Sequence, residues 1–119
     1  MRYVVDVLGF KLTSKKFIFK EISFAKLDVH NDIPIVIFTE PPFPWEKLKT
    51  HMQQRNKWLS ANYHGLEWES GNISYECGIE TFQMKLADAD IVYTKGLEKA
   101  KWLEKVLPCK YVFFNICKL

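Results

Sequence analysis

Cysteine is scarce in this chain and badly spaced for chemistry. Cys77, Cys109 and Cys117 are an odd number with no CxxC pair among them. That argues against a zinc site and against a disulfide framework, and reduced thiols in the cytoplasm or nucleus fit better. No apolar run is long enough to span a bilayer, so no membrane partner is expected. The first residues enter a strand pattern directly, without a charged n-region or cleavage site, and no secretory signal is read there. An excess of one charge is lacking as well. Against 14 acidic residues stand 17 basic ones, a net +3, which permits contact with nucleic acid but falls short of the footprint of a dedicated binder. Internal repeats and low-complexity segments are absent.

What the chain does have is apolar and aromatic mass. Hydrophobic residues make up 48% and aromatics 15% of 119 residues, enough for one domain with one packed core and far from a disordered composition. Three strand-like segments come first, at 3–10, 17–24 and 33–38, joined by polar connections of hairpin length. They predict an antiparallel meander. Pro41-Pro42-Phe43-Pro44 ends it, because proline cannot donate to a ladder. A short helix fits within 45–59, a structured loop spans 63–68, and a turn falls at Ser70-Gly71-Asn72. Tyr75, Ile79, Phe82 and Leu86 then fall on one face of an amphipathic helix. Strand 91–93, a helix over 96–107 with Ala100, Leu103 and Leu107 on one stripe, a stop at Pro108 and a last strand at 111–114 complete the order. The second half thus alternates helix and strand as a parallel sheet does.

One residue breaks the first apolar run. Asp6 lies inside Tyr3-Val4-Val5-Asp6-Val7-Leu8-Gly9-Phe10, and an ionised carboxylate there is expensive to bury unless a cation, metal or donor stands beside it. A second acid two residues on would share its face, but that position is Leu8.

These landmarks resemble the ribonuclease H-like fold, and more narrowly the DEDD-type 3′–5′ exonucleases that use a histidine general base. Asp6 stands on the first strand, and the proline-rich exit follows the third. His64-Gly65-Leu66 is similar to the family's "hGIT" loop, and Ala89 to Tyr93 forms the strand before a helix at the place of "HNxxFDxxFL". The pattern also resembles a group of short exonuclease-like proteins of arthropod genes and mobile elements. The resemblance implies an α/β fold, a three-stranded antiparallel meander followed by α-β-α-β in a mixed sheet, over residues 1–119. It further implies one exonuclease-like domain truncated at its C-terminus, since the third motif would follow the last strand and the chain stops at Leu119.

In that family four acids hold two metal ions. Here the resemblance leaves Asp6 as metal ligand and catalytic acid, real or relic, and Leu8 departs from the pattern. The second-motif acid aligns on Lys99, and a slip of one residue places Glu98 there instead. One secure acid binds Mg²⁺ poorly, and a lysine in the site opposes it. Two consequences follow. A cation such as Lys95 or Lys99 can replace the metal beside Asp6. Catalysis is expected to be lost and no cofactor is expected, with Mg²⁺ or Mn²⁺ required if an altered set of Asp6, Glu98 and Asp90 or Asp88 is active. His64 is read as a substrate-end contact or, more simply, as a loop histidine filling a polar pocket. Lys95 and Lys99 form a solvated helix face or a phosphate-contacting helix start. Arg55 and Lys57, in a basic series with Lys47, Lys49 and His51 beside Trp45 and Trp58, suggest stacking on unpaired bases. The expected partner is therefore single-stranded nucleic acid, or else a protein or a second copy of the chain through an exposed edge strand.

Overall fold

A computed structural model of the chain describes residues 1–13, 16–107 and 111–113. Runs rich in β-branched and aromatic residues build two long strands, β1 (Arg2–Thr13) and β2 (Lys16–Lys26), paired antiparallel along nearly their whole length. The second adds β3 (Ile35–Phe38) antiparallel, which starts two residues later than the sequence predicts because Pro34 cannot donate to the ladder. Then β4 (Ile91–Tyr93) joins β1 in parallel and β5 (Tyr111–Phe113) joins β4 in parallel. The result is a five-stranded mixed sheet of order β3-β2-β1-β4-β5, with the meander and the parallel half both as expected from sequence. Pro108 and residue 114 lie outside the described residues.

Three helices pack on this sheet: α1 (Thr50–Leu59), α2 (Tyr75–Lys85) and α3 (Leu97–Val106). Ser74 caps α2, its hydroxyl accepting from the Cys77 amide at 3.2 Å. Phe82 from that helix, Leu86 just past its end and Leu103 from α3 meet Val5, Val7, Ile22 and Phe24 in the main core. A second cluster gathers Phe10, Leu12 and Ile18 with Leu48 and Trp68 from the segments that follow β3.

A β-bulge explains how one hairpin feeds both clusters. Leu8 faces Glu21 while Gly9 faces Phe19, so Lys20 is an extra residue on β2. An unpaired residue inverts the side-chain alternation beyond it. Ile22 and Phe24 therefore point into the main core on one side of the bulge, and Phe19 does so on the other, while Ile18 turns to the second cluster. Lys20 itself is driven inward and is 1% exposed. Its ammonium donates to the carbonyls of Thr39 at 2.7 Å and Trp68 at 2.9 Å, and to that of Ser70. Burial holds its pKa below the ordinary lysine value, opposed by Glu69 and Glu40. This buried lysine is the clamp between β2, the end of β3 and the loop before α2.

Candidate nucleic-acid interface

Where β1 leaves the main core, a groove of about 220 Å³ opens between the sheet, α1 and α3. Its floor is Val7, Leu8, Gly9 and Lys11 of β1 with Phe17 of β2. One wall carries Trp58 and Leu59 at the end of α1 and Tyr63 in the wider turn Ser60–His64 that follows. The other carries Glu98, Lys99 and Trp102 of α3. Phe17 and Trp102 stack with ring centroids 3.9 Å apart and planes 9° from parallel, and the Lys11 ammonium lies 5.7 Å over the Trp102 ring. Trp58 and Tyr63 are 60% and 64% exposed, so two large rings border the groove with much of their surface open to solvent.

The wall formed by α1 is fixed by a buried side chain. Asn56 is 0% exposed, accepts from the Lys11 amide at 3.2 Å, and donates to the Lys11 carbonyl at 3.2 Å and the Met52 carbonyl at 2.9 Å. One amide group thus ties the helix to β1 in both hydrogen-bonding directions. Neither Asn56 nor Lys11 stands out in the sequence, because nothing local marks a helix asparagine as facing a strand backbone.

The charged groups are paired. Lys99 donates to Asp6 Oδ1 at 2.7 Å, and Lys11 reaches Glu98 Oε1 at 2.8 Å. Of the two cations expected to stand beside Asp6, Lys99 does so, and Lys95 is exposed. The burial expected of Asp6 from its apolar flanks is not found. Strand alternation turns its side chain away from its buried neighbours Val5 and Val7, and it is exposed. The ammonium therefore does not rescue a desolvated acid. It forms an exposed ion pair, a class worth about 0.2–1 kcal/mol.

Asp88 and Asp90 do not join this site. They lie at the opposite end of β1, where Asp88 accepts from the Tyr3 hydroxyl at 2.6 Å and Asp90 pairs with the N-terminal ammonium at 2.5 Å. Burial and that acid push the Tyr3 hydroxyl up to about 12. Among the described residues, no three His, Cys, Asp or Glu side chains come together as a metal site.

His64 is committed to the fold. Its Nδ1 accepts from the Leu66 amide at 2.9 Å, which places the proton on Nε2, 3.0 Å from the Gly9 carbonyl. The ring also meets Phe10 edge-on at 5.1 Å. Burial holds its pKa below the ordinary 6.5, opposed by the Gly9 carbonyl and by Glu21. The unfolded chain takes up a proton near 6.5 and the folded one only at lower pH. The contribution of His64 is therefore complete above 6.5 and is lost as the pH falls through the folded value. Melting temperatures of the native chain should fall more steeply between about pH 7 and pH 5 than those of His64→Gln. Equal slopes would remove His64 as the cause.

The basic series does not converge on the groove. Lys57 lies on the other flank of α1, in a depression with Glu46, Glu67 and Glu69. Arg55 is exposed and lines neither depression. Trp45 packs against Trp68 with centroids 5.5 Å apart, and Trp68 also meets Phe10 and Phe43. Trp58 alone of the aromatics in that series borders the groove.

Among the described residues, no helix is long and apolar enough to cross a membrane. No protein-family model matches the chain, and no curated protein is significantly similar to it.

Proposed function

We propose that this chain is a catalytically degenerate exonuclease-like domain of ribonuclease H-like fold that binds single-stranded nucleic acid in the β1–α1–α3 groove without cleaving it. The strand order and the change from antiparallel to parallel pairing support the fold relationship. The observation that carries the loss of catalysis is the Lys99 ammonium 2.7 Å from Asp6. An active two-metal site needs several carboxylates converging on divalent ions. Here Asp6 and Glu98 each hold a lysine instead, Leu8 stands where a second acid would share the strand face, and the residues present do not fit the metal pair. What remains is a groove bordered by Trp58 and Tyr63, with Lys11 and Lys99 beside them. Open aromatic faces next to cations can bind unpaired bases and their phosphates. Reduced Cys77 and a nucleic-acid ligand both suit the cytoplasm or nucleus.

The test is a fluorescence titration of labelled single- and double-stranded DNA and RNA at two salt concentrations, with and without Mn²⁺, with the products run on a gel. Salt-sensitive binding to single strands without shortening is expected. Trp58→Ala should weaken it about tenfold, the lower part of the range for one stacked base. Metal-dependent shortening would overturn the degenerate reading.

A second reading rests on the start of β3 and the residues before it, where Ile33, Ile35 and Val36 are exposed, whereas the Phe38 carbonyl already accepts from the Asn72 amide at 3.1 Å. Unpaired apolar edges invite strand pairing, so a protein-binding module or a homodimer becomes the preferred reading if no nucleic acid binds.

A further inference from the structure

In both ion pairs of the groove the acid is the outer partner. Asp6 is 57% exposed against 20% for Lys99, and Glu98 is 54% exposed against 36% for Lys11. The lysine stems lie along the groove, with the Lys11 ammonium over the Trp102 ring, and each ammonium meets its carboxylate, Lys99 to Asp6 at 2.7 Å and Lys11 to Glu98 at 2.8 Å. A phosphate approaching either ammonium is therefore repelled by the carboxylate already there and competes with it for the ammonium's N–H donors.

We infer that Asp6 and Glu98 act as a carboxylate mask over the phosphate-binding cations Lys99 and Lys11, so that they limit affinity for nucleic acid rather than support chemistry on it. This deepens the nucleic-acid reading proposed above and rests on it. The physical reason is competition. With metal ions, such acids would be neutralised and would attract phosphate through the metal. With lysines, they repel an incoming phosphate and also engage one of the three donors of each ammonium. Because both pairs are exposed and individually weak, opening them is cheap, and the mask lowers affinity without abolishing it. The consequence is opposite to that of an active nuclease site: neutralising the first-strand acid should improve binding.

The experiment titrates a fluorescein-labelled oligo-dT with the native chain, Asp6→Asn, Glu98→Gln and Lys99→Met over a series of NaCl concentrations. Glu80→Gln, on the exposed face of α2, removes the same charge away from the groove and serves as the control. Asp6→Asn and Glu98→Gln should each tighten binding about fivefold, the equivalent of one exposed ion pair released. Each should also steepen the dependence of log K on log salt by about 0.7, as one more lysine meets a phosphate. Glu80→Gln should change neither quantity, and Lys99→Met should weaken binding and cancel the gain from Asp6→Asn when the two are combined. Binding detected only in the two acid variants would also support the mask. If the native chain binds and the acid variants bind equally or more weakly, or gain no more than Glu80→Gln, the mask is overturned while the groove reading stands. If none of the proteins binds, both fall together.

Discussion

Gly9→Ala should lower the melting temperature by roughly 10 °C or more, corresponding to a loss of about 3 kcal/mol. The sign makes this a demanding expectation. Gly9 has no left-handed φ, and at such positions replacing glycine by alanine ordinarily stabilises a protein by about 0.4–1 kcal/mol through the unfolded chain. In this hairpin a Cβ would sit 1.8 Å from the Ile18 carbonyl oxygen and 2.9 Å from the edge of Phe17. The first of these atoms belongs to the backbone of the paired strand, so relief requires the β1–β2 ladder to part at the bulge. Its Phe17 neighbour is stacked on Trp102, and the Gly9 carbonyl accepts from His64. The same shift would disturb the groove floor and the loop after α1 together. A urea melt or a thermal melt by circular dichroism reads the change. A variant within about 2 °C of the native chain would mean that the bulge yields at little cost and that close approach of Ile18 does not require glycine at this position.

Lys20→Met is expected to cost a similar amount, about 3 kcal/mol or more, because it leaves three carbonyl groups without their donor in a site from which water is excluded. Methionine has comparable length and is fully apolar, so a hydrophobic strand position would tolerate it well. The buried position does not supply only apolar neighbours, however. The carbonyls of Thr39, Trp68 and Ser70 converge on the ammonium, and Thr39 is itself held through its hydroxyl by the Phe19 carbonyl at 2.5 Å. Lys16→Met on the same strand is the control, since Lys16 is exposed and its loss should stay within about 0.5 kcal/mol. Hydrogen exchange distinguishes the clamp from a general packing defect. Amides of the loop around Trp68 to Gly71 should open in Lys20→Met before those of the β1–β2 ladder do. Uniform opening of the whole sheet would argue that Lys20 does not specifically hold that loop.

The element order was legible because it rests on local periodicity. The short apolar, β-branched and aromatic runs at 3–10 and 17–24, and the stripe Tyr75, Ile79, Phe82, Leu86, each name their element without knowledge of any partner. The proline exit after β3 marks its boundary by backbone chemistry alone. The candidate site was only half legible. Asp6 and Lys99 stand 93 positions apart, and their pairing followed from aligning landmarks of a family, since nothing near either residue points to the other. Lys57 and Trp58 are neighbours in sequence but face different depressions, since successive positions on a helix diverge by about 100°.

The succession of strands and helices, the two-part character of the sheet and the lack of a strong basic footprint were all written in the amino-acid order. These depend on the intrinsic preferences of short segments and on composition. Folding in three dimensions was needed to bury Lys20 and to set Asn56 against a strand backbone. It was needed as well to place both groove acids outside the lysines they hold. Each of these turns on a bulge of one residue or on the approach of segments far apart in the chain. A one-residue bulge reverses which side of a strand faces the core, and long-range approach is set by how the whole core closes.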